Sequence, residues 1–146
     1  MIILGVDYGR AKIGLAISEG KLSAPFSVLR VSSPAGAVRK VTDIAKEEKV
    51  EKIVVGISEG VMRKIQKEFG DILREKTGVK VEMWDETLTT KDAQTLALAA
   101  GLPRKKRRGM EDAFAAAVML QSYLDTESRQ GSITSYVKGS KITRRV

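Results

Sequence analysis

Ile2-Ile3-Leu4-Gly5-Val6-Asp7-Tyr8-Gly9 opens the chain, and four of the five residues before Asp7 are large and apolar. A run with no polar alternation suits a strand covered on both faces, hence a central one. Asp7 ends that run. Gly9, without a Cβ, lets the backbone turn and a ligand come close. A carboxylate at this point either shapes a tight hairpin or serves chemistry where the sheet meets solvent. The stretch alone does not choose between the two.

The next segment pairs with the first. Ile13, Leu15 and Ile17 alternate with Lys12, Gly14, Ala16 and Ser18, the period of a half-covered strand. The short turn between them predicts an antiparallel hairpin. A third strand is expected over Phe26–Val31, with Pro25 at its start, where a missing N–H does least harm. Ser33 then reads as an N-cap and Pro34 as the first helical residue, ahead of an apolar stripe of Val38, Val41, Ile44 and Ala45.

Glu51–Ile57 contains a second buried strand around Ile53-Val54-Val55. A helix follows over about Val61–Lys76, with Ile65, Phe69, Ile72 and Leu73 expected inward and Gly78 as its stop. Val79–Asp85 alternates as a strand. A further helix is expected from Thr89 or Thr90 to about Ala100, and a last one over Glu111–Leu124. The order is three strands, then helix-strand-helix-strand, then helices. It predicts an α/β sheet, antiparallel at its start and parallel beyond. Residues 1–125 are expected to form one domain. Thr126–Val146 reads as a basic, flexible tail in which Ile133–Val137 could form a short strand.

Composition narrows the chemistry. The chain has 146 residues, no Cys and no His. That excludes disulfides, thiolate nucleophiles, Ser-His mechanisms and His-ligated metals. Carboxylate, Lys, Tyr and Ser/Thr chemistry remain, with hard cations held by oxygen. No apolar run approaches the roughly 20 residues of a membrane span, and no basic leader precedes the first strand, so the expected location is cytoplasmic. The net charge of +8 suits a polyanionic partner. Aromatic residues make up only 5%, too few for base stacking along a single strand to be the main binding mode. Tyr8 and Trp84 are the aromatic residues nearest the expected site.

Three acidic positions fall at element ends: Asp7, the pair Asp85-Glu86, and the pair Glu111-Asp112. Brought to one end of a sheet, they would repel one another unless a cation sat between them. Asp112 shares a helical face with Ala115, Ala116, Met119 and Tyr123, so it is an acid on an apolar, inward stripe. Glu111 points elsewhere and suits the positive end of the helix dipole. Asp85 and Glu86 point to opposite sides of a regular strand, and the pattern does not say which faces the site. Arg104-Lys105-Lys106-Arg107-Arg108 lies just before this helix. It is either a solvated loop or a clamp for phosphates, with Arg10 and Lys12 as further candidates.

Asp7-Tyr8-Gly9 with Lys12-Ile13-Gly14-Leu15-Ala16, Val54-Val55-Gly56, Asp85-Glu86-Thr87-Leu88-Thr89-Thr90, and Asp112-Ala113-Phe114-Ala115-Ala116-Ala117 with Leu120-Gln121-Ser122-Tyr123-Leu124 together resemble the YqgF/RuvX family. Those proteins are Holliday-junction-resolvase-like and are associated with maturation of precursor small-subunit ribosomal RNA. The resemblance covers about residues 1–125. It implies a ribonuclease-H-like fold, a five-stranded mixed sheet with helices on both faces. It also implies a catalytic and metal-binding set of Asp7, Glu86 and Asp112, holding Mg²⁺ or Mn²⁺ in a two-metal nuclease mechanism. Two positions depart from the family pattern: Thr87 stands where Arg is usual, and Ile57-Ser58-Glu59-Gly60 replaces a longer loop.

The leading expectation is a metal-dependent nuclease acting on structured RNA or branched DNA, as a monomer or homodimer. A Holliday-junction-resolvase-like DNA endonuclease, which needs paired active sites, and a noncatalytic nucleic-acid-binding module are the alternatives. The Asp7-Tyr8-Gly9 turn also resembles the phosphate-binding hairpin of actin-like ATPases and sugar kinases. Those enzymes need a second domain for which the chain has no room.

Overall fold

The computed structural model describes residues 1–86 and 109–139, with side chains through residue 128. The elements are β1 (Ile3–Tyr8), β2 (Lys12–Ser18), β3 (Ser23–Arg30), α1 (Pro34–Glu47), β4 (Lys52–Ile57), α2 (Val61–Thr77), β5 (Lys80–Asp85) and α3 (Glu111–Gly139). The sheet order is β3-β2-β1-β4-β5, which places β1 at the centre, as its unbroken apolar run requires. β1–β2 and β2–β3 pair antiparallel; β1–β4 and β4–β5 pair parallel.

The pleat sorts the core into two layers. Leu4, Val6, Tyr8, Ile13, Leu15, Ile53, Val55 and Val81 face α1 and α2, meeting Val38, Val41, Phe69 and Leu73. Ile3, Ala16 and Val54 face α3, meeting Ala116, Ala117, Met119, Leu120 and Tyr123. Helices therefore cover both faces. The ends of α1 and α2 follow local sequence. Ser33 Oγ accepts from the Gly36 N–H at 3.0 Å with Pro34 in the first turn, and Gly78 closes α2 in the left-handed region at φ 72°. On the α3 side, Lys52 Nζ donates to Tyr123 OH at 2.7 Å, and Tyr123 OH donates to Glu82 at 2.6 Å. Burial resists ionisation of Glu82, but that hydroxyl, Lys52 and Lys80 outweigh it and hold the carboxyl below its usual range.

Four expectations need correction. β3 begins at Ser23 rather than Phe26, so Pro25 lies inside it. The strand is at the sheet's edge, where one missing N–H is tolerated. Ile65 and Ile72 are 45% and 40% exposed, while Gln66, Phe69, Gly70 and Leu73 face inward. Gly70 sets that rotation, because a Cβ there would collide with Met83 of β5 and the helix lies close only on its glycine side. Ala115 is exposed, and the packed seam of α3 runs through Ala113, Ala116, Ala117 and Leu120. Finally, α3 continues past Leu124 to Gly139, so no strand forms over 133–137. A helix already nucleated on the sheet adds residues at one hydrogen bond each. The helix expected over Thr89–Ala100 lies outside the described residues.

Candidate active site

β1 alternates Leu4, Val6 and Tyr8 toward α1 and α2, which turns Ile3, Gly5 and Asp7 toward α3. In register, Asp7 stands opposite Gly14 of β2. A Cβ at Gly14 would overlap the backbone carbonyl of Asp112, so the first turn of α3 rests directly on that glycine. A Cβ at Gly56 of β4 would stand 2.7 Å from Glu86 Oε1 and 3.1 Å from its Cγ. Two glycines, one on each neighbouring strand of β1, thus leave room for two acids beside Asp7.

The choice between Asp85 and Glu86 follows from the same pleat. Val81 and Met83 face α1 and α2, and Asp85 with them, 3.5 Å from Arg63 of α2. Glu86 lies on the opposite face, over Gly56. Of the two, Glu86 is the one brought to Asp7, as the family resemblance implied and the sequence pattern alone did not resolve.

Asp7 is held far from its ordinary state. Burial first, then a hydrogen bond to and the charge of Glu86, then the charge of Asp112, push its carboxyl up to about 8. Each of these causes favours the protonated form. The structure therefore brings Asp7 and Glu86 into direct contact, with Asp112 near enough for its charge to be felt. Glu111 is exposed at the helix start, where it complements the dipole.

Gln66 is a site residue that the sequence reading missed. The β1–β4 ladder is paired through Val6 and Val55. Beyond it, the buried Gln66 amide joins the strand ends: its Oε1 accepts from Ser58 N at 2.7 Å, and its Nε2 donates to Tyr8 O at 3.2 Å. The available signal was the stripe Met62, Gln66, Phe69, Leu73, in which one uncharged polar residue replaces an apolar one. Gln66→Leu leaves both backbone groups without this partner, and should cost about 2–3 kcal/mol. An unchanged urea midpoint would show that the amide does not secure this end of the sheet.

The other candidates are spread differently. Arg10 is exposed and Lys12 half-buried at the β1–β2 turn, which Gly9 N closes by donating to Lys12 O at 2.9 Å. Tyr8 is 5% exposed and stacks on Phe69 at 4.2 Å on the face away from the acids. Trp84 packs edge-on against Tyr123 at 5.5 Å. Both are core residues rather than platforms for bases. Arg104–Arg108 and Thr87 lie outside the described residues.

The donor set suits a hard divalent cation: all oxygen, acidic, half-buried, and made to hold a proton in its place. Among the described residues no three acidic groups are gathered tightly enough to grip one ion by themselves. Mg²⁺ does not need such a cage, since it usually takes one or two carboxylates, substrate phosphate and water. The Asp7–Glu86 pair meets that requirement, with Asp112 adding charge.

A protein-family model described as "RuvX: Holliday junction resolvase" matches residues 1–126. A protein of Syntrophus aciditrophicus named "Putative pre-16S rRNA nuclease" is 36% identical over 138 residues, 89% of this chain and 92% of its own length. A Clostridium botulinum protein of the same name is 36% identical over 137 residues, covering 88% of this chain and all of its own. Among solved structures, Thermus thermophilus RuvC superposes with a TM-score of 0.61 at 16% identity, over 87% of this chain and 97% of that one. The fowlpox virus Holliday junction resolvase gives 0.57 at 13% identity, over 86% and 99%. At those identities the two structures establish a shared fold.

Proposed function

This chain belongs to the RuvX family, and from that premise we propose that it is a metal-dependent nuclease that processes precursor small-subunit ribosomal RNA in the cytoplasm. The observation that carries the reading is the contact of Asp7 of β1 with Glu86 at the end of β5, with the charge of Asp112 at the start of α3 acting on the same carboxyl. The substrate is taken from the names of relatives that align over nearly the whole chain.

Asp7 and Glu86 would hold Mg²⁺ or Mn²⁺, with Asp112 completing the set for a second ion. When bound, such ions supply an activated water and stabilise the attacking and leaving oxygens of phosphodiester cleavage. A cation held there would take the place of the Asp7 proton, so metal affinity should rise as pH approaches about 8. Glu86 is steadied over Gly56. The first turn of α3 delivers Asp112, and Gln66 holds the strand ends from behind. Arg10, Lys12 and Arg104–Arg108 would position phosphates without reading sequence.

The second reading is a Holliday-junction-resolvase-like DNA endonuclease. It is favoured by the description of the family model. Labelled precursor ribosomal RNA and a four-way DNA junction, each with Mn²⁺, Mg²⁺ or EDTA, separate the two. Metal-dependent cuts confined to the RNA are expected. Cuts confined to the junction would transfer the assignment to the second reading, and binding without cuts would leave a noncatalytic module.

A further inference from the structure

Beyond the acids, the same face of the sheet carries a pair of cations placed directly opposite each other. Lys12 of β2 and Arg30 of β3 are register partners. Ile13, Leu15 and Leu29 turn toward the α1 and α2 core, so Lys12, Gly14 and Arg30 share the face of Asp7 and Asp112. Like charges directly opposite across strands are destabilising. The described ion pairs are Lys52–Glu82, Arg63–Asp85, Arg74–Asp71 and Lys80–Glu82, and neither Lys12 nor Arg30 takes part. Glu111 and Asp112, in the first turn of α3 on that face, form no ion pair with either. Arg30 is exposed and Lys12 half-buried.

Position gives the pair its meaning. Gly14 stands opposite Asp7, and Lys12 lies two residues along β2, a step of about 7 Å. That is comparable to the separation of neighbouring phosphates along one strand. A phosphate there would relieve the repulsion between the two cations, and a compact ammonium beside a forked guanidinium suits a non-bridging phosphate oxygen pair.

We propose that the Lys12–Arg30 cross-strand pair is a phosphate clamp that holds the substrate backbone one nucleotide from the scissile phosphate and leads the strand out over the β2–β3 edge. The inference takes its ligand class from the proposed function. It adds Arg30 as a contact and a direction of travel for the substrate.

Binding in EDTA tests it, because no cleavage step intervenes. Fluorescein-labelled structured RNA and a four-way DNA junction would be titrated with wild type, Lys12→Ala, Arg30→Ala and the double variant, at several salt concentrations. Lys67→Ala, an exposed cation on α2 across the sheet, is the control. Each clamp variant should weaken binding about 5–20-fold at 0.1 M salt and reduce the salt slope by about 1, and the control should do neither. The thermal midpoint of the free protein should stay level or rise in Arg30→Ala, since a repulsion is removed. A fall in midpoint with an unchanged salt slope would make the pair structural and overturn the clamp. Wild-type binding with clamp variants indistinguishable from Lys67→Ala would overturn the clamp and leave the nuclease standing. No wild-type binding to either probe would overturn both.

Discussion

Asp7→Asn is expected to lower metal-dependent cleavage by about a thousandfold or more while making the metal-free protein more stable. The two effects have one origin. Asp7 is mostly buried, hydrogen-bonded to Glu86 and within the field of Asp112, and its carboxyl is pushed up to about 8 from an ordinary 3.8. Ionising it in the folded protein is costly, and a bound cation would offset that cost. Asn keeps the shape and can donate to Glu86 as the protonated acid does, but it cannot become the anionic ligand.

The pH dependence separates this account from a merely structural role. A folded-state value raised above the unfolded one means that the folded protein holds a proton the unfolded chain has lost. Asp7's contribution to stability is therefore fully present below about 4 and is lost as pH rises through about 8. The metal-free wild type should weaken from pH 5 to pH 9 relative to Asp7→Asn. The variant's lead should be smallest at pH 5 and widen by about 4 kcal/mol at most by pH 9, at about 1.4 kcal/mol per pH unit up to about 8. Added Mn²⁺ should raise the wild-type midpoint and leave the variant's nearly unmoved. Equal midpoints at both pH values, with and without Mn²⁺, would show that Asp7 is not held in a strained ionisation state and does not bind the metal.

What the sequence made legible follows periodicity. The unbroken run before Asp7 placed β1 at the centre, and the alternation in Lys12–Ser18 placed β2 beside it, because both patterns report burial directly. Face assignments that depend on neighbours were harder. Ile65 and Ile72 sit on an apolar stripe of α2, but the helix turns the Gln66, Phe69, Leu73 side inward because Gly70 admits Met83. The acids show the same division. Asp112 was legible from its position on the α3 stripe. Asp85 and Glu86 were not separable until Arg63 was seen to take one and Gly56 to accommodate the other. The Lys12–Arg30 pair needs the β2–β3 register, which shifts between Leu15 and Ala16 and cannot be counted out from the turn.

Gly14→Ala should be the most destabilising single-methyl change at the site, by about 3 kcal/mol or more, with cleavage lost in step. The added Cβ would overlap backbone atoms, the Asp112 carbonyl above all, so no side chain can swing aside to admit it. Either the first turn of α3 lifts from β2, carrying Asp112 away from Asp7, or the hairpin bends. Gly56→Ala is the informative contrast. Its nearest obstacles are side-chain atoms, Glu86 Oε1 at 2.7 Å and Cγ at 3.1 Å, then Met119 Cγ at 3.2 Å. Those atoms can yield, so stability should fall by only about 1 kcal/mol. The same movement takes the Glu86 carboxylate off Asp7, and cleavage should drop at least about tenfold in a protein that remains folded. Urea denaturation beside single-turnover cleavage resolves the pair. If Gly14→Ala unfolds at the wild-type midpoint, α3 does not rest on β2 as the structure has it, and Asp112 loses its place among the acids. If Gly56→Ala cuts at the wild-type rate, the position of Glu86 over that glycine is not the one used in cleavage. A large stability loss in the first and a large activity loss in the second would locate two different constraints on one site: a helix that must come down, and a carboxylate that must stay still.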